Sequence, residues 1–275
     1  MRGLHELVFI TTSVRYQAVR DELAINTGVR FVPTYGMPGN CNVGRPLRVA
    51  ESRNVLERSL PPPSAASARE LAAQTWARDA ALECASIAAF VQLAEQLSVA
   101  GAPLELVERA IEAAADELEH TRACAALASR WSGRPLHLAL PPQRPRPLLT
   151  GTAALHRLAT ESWTDGCIAE GVAARAAQGA AERAREPEAA RLQHRIAIDE
   201  RRHAELAWSI LKWSVERGGE DVRAAVRAVA SLDPDASDDA CDGLERYGRI
   251  SPRMHAVLAE RERSMSHDRL APLLR

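Results

Sequence analysis

The sequence predicts an all-α protein built on a four-helix bundle. Ala, Leu, Glu and Arg dominate the 275 residues and aromatic residues make up only 4%, a composition that favours helix over sheet. Between about residues 67 and 217, Gly and Pro fall mainly where long helical segments would end or begin. A Pro-rich connection then divides the segments into two hairpins joined by one long crossover.

The first hairpin has clear helix boundaries. Ser67 and Glu70 have the spacing of a capping box, in which each side chain accepts a hydrogen bond from the other residue's backbone. The first helix is predicted to run from there to about Ala100, where Gly101-Ala102-Pro103 supplies a helix end and a new first turn. The second helix is predicted over about 104–130.

The second hairpin follows the crossover. Its third helix is predicted from Thr150 or Thr152 to about Arg185, and Glu186-Pro187 makes a tight link to the fourth. The fourth helix should end at Gly218-Gly219, and two short helices should follow over about 220–232 and 254–263. The prolines of the crossover are Pro135, Pro141, Pro142, Pro145 and Pro147.

Three regions are predicted: an irregular N-terminal arm over 1–62, the bundle over 63–217 and a C-terminal helical extension over 218–275. The turn-forming residues 36–40 and the prolines 61–63 indicate that the arm holds at most one short strand or helix.

Composition excludes several classes of function. A net charge of −1 gives no basic field for nucleic acid. Five widely spaced cysteines without a Cys-x-x-Cys pair favour neither a disulfide framework nor a thiolate zinc site. No segment approaches the roughly 18 apolar residues that a membrane-spanning helix needs. We therefore expect a soluble cytoplasmic protein with reduced thiols.

Two copies of one motif carry the chemistry. Glu117 and His120 form one Glu-x-x-His, and Glu200 and His203 form the other. Residues three apart lie on one face of a helix, so each pair can present a carboxylate and an imidazole to one metal ion. Two such motifs on different helices are the arrangement with which helix bundles hold two metal ions.

A glutamate precedes each motif at matched depth on the preceding helix. Glu83 lies 34 residues before Glu117 across the first loop, and Glu170 lies 30 residues before Glu200 across the second. Both have apolar neighbours, and burying four carboxylates is prohibitive unless cations neutralise them. On the third helix Glu161, Asp165 and Glu170 are candidates, and the first two share a face that lies well round the helix from Glu170. The depth comparison selects Glu170, with Asp165 as the next choice. An oxygen-rich set with one imidazole per ion suits iron or manganese.

Several nearby residues receive lesser roles. Asp116 and Asp199 directly precede the motif glutamates, so either can hydrogen-bond to a histidine on another helix. Phe90 is predicted to line or plug the pocket. The remaining candidates are expected to be buried small hydrophobes, structural or exposed rather than ligands: Cys124, Cys167, His156 and His194.

At these residues the chain resembles the ferritin-like diiron-carboxylate superfamily, over about 67–217. It looks closest to bacterial ferritin-like domain proteins of uncharacterised function, through the segments 83–90, 97–103, 116–120, 165–170 and 199–208. The resemblance implies a ferritin-like bundle with two iron ions, or manganese. It assigns the metal to Glu83, Glu117, His120, Glu170, Glu200 and His203.

Three functions are expected from this resemblance and these residues. The first is an oxidoreductase that activates O₂ or peroxide and acts on an unknown small molecule. The second is a non-catalytic protein that binds or handles iron, and the third is a bundle in which the metal is a structural staple. A long amphipathic bundle of this kind is also expected to pair as a homodimer.

Overall fold

The computed structural model describes residues 5–9, 29–33, 67–138, 146–231 and 243–275. From residue 67 onward, the described residues are helical apart from their connections. The predictions that fall on 36–40, 61–63 and on Pro141, Pro142 and Pro145 lie outside the described residues.

The first hairpin consists of α1 (Ala68–Val99) and α2 (Leu104–Ser132), which pack against each other. The capping box is confirmed: the Ser67 hydroxyl accepts from the Glu70 N–H, and the Glu70 carboxylate accepts from the Ser67 N–H at 2.7 Å. Gly101 adopts a left-handed φ of +68° in the loop between the helices, a conformation that glycine reaches without steric cost.

The predicted third helix is continuous but not uniform. It consists of α3 (Gly151–Glu161), a π-helical segment π1 (Ser162–Glu170) and α4 (Gly171–Arg183). All three pack against α5 (Pro187–Ala230), which completes the second hairpin. The backbone of Gly219 is non-helical inside α5, so the fourth helix bends where the sequence predicts its end.

The C-terminal region folds back on the second hairpin. A short 3₁₀ helix (Glu245–Tyr247) leads into α6 (Pro252–Leu270), which extends well beyond the predicted 254–263. A final 3₁₀ turn covers Ala271–Leu274. Helix α6 packs against α4 and π1, so the extension covers the outer side of the predicted third helix.

In the arm, the described residues form two short strands, β1 (His5–Phe9) and β2 (Val29–Pro33). They pair in parallel, with His5 opposite Val29. The arm therefore carries one strand more than the sequence predicts.

Small residues and a few large aromatic residues fill the interior of the bundle. The Trp76 indole is fully buried in the cluster at one end of α1, and its N–H donates to the Tyr247 carbonyl at 2.9 Å. The Arg249 guanidinium lies over the Trp76 ring at 5.4 Å and forms a buried ion pair with Asp79. These contacts tie the segment before α6 to the first hairpin.

Candidate metal centre

The six predicted ligand residues come together between the two hairpins, from four helical segments. Glu83 lies on α1, Glu117 and His120 on α2, Glu170 at the end of π1, and Glu200 and His203 on α5. Five of these residues have no solvent exposure, and the sixth, His203, is 3% exposed. They form two groups whose ligand atoms lie within 4.8 Å of one another, and Glu200 belongs to both groups.

The first group contains Glu83, Glu117, His120 and Glu200, and the second contains Glu170, Glu200 and His203. The oxygens of Glu117 divide between the imidazoles, at 3.8 Å from the Nδ1 atom of His120 and 3.4 Å from that of His203. Those of Glu200 do the same at 3.9 and 3.6 Å. The carboxylates of Glu117 and Glu200 therefore lie between the two histidines. Glu83 lies outside them, 3.7 Å from His120 Nδ1.

The Nε2 atom of each imidazole, which points away from the cluster, contacts an aspartate of the other hairpin. His120 Nε2 lies 3.0 Å from Asp199 Oδ2, and His203 Nε2 lies 3.2 Å from Asp116 Oδ2. Because a carboxylate accepts a hydrogen bond, Nε2 carries the proton and donates it. When the imidazole is neutral, the lone pair of Nδ1 then faces the cluster, as a metal ligand requires. From the sequence, such Asp–His hydrogen bonds are possible, but which aspartate pairs with which histidine is not predicted.

Arg202 joins the two Asp–His pairs, a role that sequence reasoning missed. Its guanidinium contacts Asp116 Oδ2 at 3.1 Å and Asp199 Oδ1 at 2.5 Å. The spacing of three residues between Asp199 and Arg202 on a helix is the signal that points to one of these contacts. The other contact crosses to α2, and no local pattern indicates it.

A metal pair fits this donor set because the cluster lacks other partners. Within the described part of the chain, both carboxylate oxygens of the four glutamates and the Nδ1 atoms of the two histidines are buried without a hydrogen bond. Buried polar groups are nearly always hydrogen-bonded, and an isolated buried carboxylate is far more costly than a neutral group. Divalent cations at the two groups would satisfy these ten atoms together.

Without metal, the cluster favours the uptake of protons. Burial and the neighbouring Glu83 carboxylate raise the pKa of Glu117, and burial and Glu200 raise the pKa of Glu170 well above its ordinary value. Burial opposes the charged form of the imidazoles, but the hydrogen bond to Asp199 and the nearby carboxylates of Glu117 and Glu83 raise the pKa of His120. The pKa of His203 is raised in the same way by Asp116, Glu117 and Glu200.

On the third helix, Glu170 joins the cluster and Asp165 does not. Asp165 is buried and accepts a hydrogen bond from the Thr164 hydroxyl at 2.9 Å, but it belongs to neither group of ligand atoms. Angles predicted from the sequence assume a regular α-helix, whereas both residues belong to π1. In a π-helix residues five apart come close to one face, so the angular separation expected between Asp165 and Glu170 does not apply.

The other candidates lie around the cluster rather than in it. The Phe90 ring packs against His203, with ring centroids 4.9 Å apart. Cys124 and Cys167 are fully buried, and burial raises the pKa of the Cys124 thiol well above its ordinary value, which favours the neutral thiol over a ligating thiolate. His156 is half-buried and His194 exposed, and neither joins either ligand group.

A surface cleft of about 640 Å³ reaches one side of the cluster. Residues of α2 and α5 form most of it, with Asp116, Arg202 and His203 where it approaches the cluster. It differs from the expected pocket because Phe90 is not among its lining residues. Of the six clustered side chains, only His203 borders it.

No protein-family model, curated protein or solved structure matches the chain. Among the described residues, no helix has both the length and the apolar character needed to cross a membrane.

The metal-free protein is expected to lose stability as the pH rises from about 5 to about 8. A carboxyl whose pKa is raised on folding stabilises fully below its unfolded value of 4.5, and this stabilisation is lost as the pH rises through the folded pKa. The histidines behave likewise above 6.5. Denaturant unfolding in the presence of a chelator measures the effect. An unfolding midpoint that increases over this interval would contradict the shifts.

Replacing Asp116 with Asn should weaken binding of divalent ions about 10- to 100-fold, because the carboxylate that orients His203 is lost. Anaerobic titration with ferrous or manganous ion measures the change. Glu119→Gln is the matched control, since Glu119 lies on the same helix but its side chain is 61% exposed and pairs with Arg122. Equal affinities for the two variants would show that Asp116 has no such role.

Proposed function

We propose that the chain binds two divalent ions, iron or alternatively manganese, and acts as an oxidoreductase on O₂ or peroxide. The observation that carries the proposal is the convergence of ten buried, unpartnered ligand atoms into two groups that share Glu200. Carboxylate oxygens and imidazole nitrogens are the ligands that these ions accept in proteins. The substrate would be a small molecule.

The helix order supports a ferritin-like bundle for this proposal. Two hairpins are joined by one long crossover, and the clustered residues follow the pattern of one Glu on the first helix of each hairpin and one Glu-x-x-His on the second. The likeness is one of arrangement, since no relative supports it. The proposed site, rather than the fold, carries the assignment of function.

In this proposal each group of residues has a separate task. The four glutamates and the two Nδ1 atoms would hold the ions, and Glu200 belongs to both groups of ligand atoms. Bound iron would supply the transfer of electrons to O₂ or peroxide. Asp199 keeps the proton of His120 on Nε2, and Asp116 does the same for His203. Phe90 keeps water from one face of the His203 ring, while the cleft gives a small molecule an approach on the side of Asp116.

One observation favours the non-catalytic alternative, in which the chain handles iron or uses metal as a structural staple. All six residues are buried, and the cleft borders only His203 among them. A sealed site protects a bound ion but slows the arrival of a substrate. Metal content and the reaction with O₂ therefore have to be tested separately.

The first test is stoichiometry. The protein as purified without oxygen should bind two ferrous ions per chain, measured by titration and by mass spectrometry under native conditions. Glu200→Gln should reduce this number most, because Glu200 belongs to both groups. Glu83→Gln should affect one ion, and the exposed Glu119→Gln should leave two. Fewer than two ions on the unaltered protein would overturn the proposal.

The second test is the reaction of the ferrous protein with O₂ in a rapid-mixing spectrometer. A transient visible absorption, with two ferric ions remaining bound and the cycle repeating after re-reduction, is the result expected of an oxidoreductase. The zinc-loaded protein is the redox-inactive control. Accumulation of more than two ferric ions per chain would favour iron handling instead, and the absence of any oxidation would favour a structural staple.

A further inference from the structure

The π-helical segment that ends in Glu170 is covered by the C-terminal helix α6. Trp163, near the start of π1, is 3% exposed and makes edge-on contacts with two rings. Its ring centroid lies 5.9 Å from that of Trp208 on α5 and 5.1 Å from that of His267 on α6. Leu270 of α6 is buried in the same group of apolar side chains as Trp163 and Trp208. Trp163 is therefore held between α5 and α6.

Two salt bridges connect α6 to the second hairpin on either side of this contact. Arg269 binds Glu205 of α5 with two hydrogen bonds of 2.6 and 2.8 Å and stacks over Trp208 at 4.3 Å. Glu262 forms a partly buried ion pair with Arg175 of α4. Helix α6 is thus salt-bridged to α5 and to α4, the helix that follows π1.

The π-helical winding decides where Glu170 points. Seven residues separate Trp163 and Glu170, and in a regular α-helix such residues lie within about 20° of one face. A π-helical stretch accommodates an additional residue and turns the next part of the helix by about 100° relative to that arrangement. As a result Trp163 contacts Trp208 and His267, while Glu170 contacts the cluster with Glu200 and His203.

Gly171, the residue after Glu170, lies close to the Glu262 side chain of α6. A Cβ atom at Gly171 would lie 2.8 Å from the Glu262 Oε1 atom and 3.0 Å from its Cγ atom, so the Glu262 side chain would have to move. The φ of Gly171 is −61°, an ordinary helical value. The glycine is therefore required for the close approach of Glu262 and not for an unusual backbone conformation.

We propose that α6 is a clamp that holds π1 in its π-helical winding and so keeps Glu170 in the cluster. Trp163, His267, Gly171 and Glu262 are then positioning residues that act through the backbone of π1. The inference rests on the proposed function for its effect on metal binding. Its effect on the winding of π1 is independent of metal.

The test compares Gly171→Ala with Gly179→Ala in the full chain. Both glycines lie in α4 and face α6, but a Cβ atom at Gly179 would come no nearer than 3.3 Å, to Leu258 Cδ1, against 2.8 Å to Glu262 Oε1 at Gly171. Both changes gain the same helix propensity, so a difference between them reports the contact with Glu262. A second pair, His267→Ala and His267→Phe, removes and then restores a ring against Trp163.

Two measurements are made on each variant. Hydrogen exchange of the metal-free protein should become at least tenfold faster at the amides of 162–170 in Gly171→Ala and His267→Ala, and should stay near the unaltered rate in Gly179→Ala and His267→Phe. In metal titrations the same two variants should bind one ion about tenfold more weakly and the other unchanged, because only one group contains Glu170.

The outcomes separate the two proposals. Equal exchange rates in Gly171→Ala and Gly179→Ala, or an equal loss of both ions, would overturn the clamp, since a purely structural α6 would not distinguish one ion from the other. Failure of the unaltered protein to bind two ions would overturn the proposed function. The exchange measurement would still decide whether α6 holds π1.

Discussion

The mutual repulsion of four buried carboxylates is the constraint on which the rest of the structure depends. Glu83, Glu117, Glu170 and Glu200 meet between two hairpins without a hydrogen-bond donor to their oxygens within the described residues, other than the two imidazoles at 3.4 Å or more. Such a group of charges is tolerated in an apolar interior only when positive charge joins it. In the metal-free protein, the raised pKa values of Glu117 and Glu170 favour the uptake of protons that reduce this repulsion. Metal ions would displace those protons.

The two hairpins depend on each other for this arrangement. The Asp of each Asp-Glu-x-x-His sequence accepts from the imidazole of the other, and Arg202 contacts both aspartates. A shift of α5 along α2 by one residue would break both hydrogen bonds together. The reciprocal pairs therefore fix the register of the two hairpins as well as the proton positions of the histidines. Burial of Asp199 opposes its charged form, but His120 and Arg202 outweigh this and lower its pKa, so the acceptor stays ionised.

Most helix boundaries and the six clustered residues could be predicted from sequence, because they depend on local spacing. Helix boundaries follow from Ser67, Gly101 and Gly219, and the clustered residues follow from a three-residue spacing and from depth along matched hairpins. Contacts between distant segments could not be predicted, among them Arg202 with Asp116 and Gly171 with Glu262. The π-helical winding was missed for a related reason. No pattern within 162–170 reveals it, since it is stabilised by packing against Trp208 and His267, about 45 and 100 residues away in sequence.

The π-helical segment also makes the two halves of the cluster unequal. The first and second helices are regular where they carry Glu83 and Glu117, and the group around His120 has four members. The group around His203 has three, one of them supplied by π1, and His203 is the member that borders the cleft. An ion there would have fewer protein ligands and more room for an exogenous one, which is the open position that a catalytic site needs. If the chain is an oxidoreductase, the asymmetry assigns the approach of substrate to the side of His203 and a mainly supporting role to the group around His120.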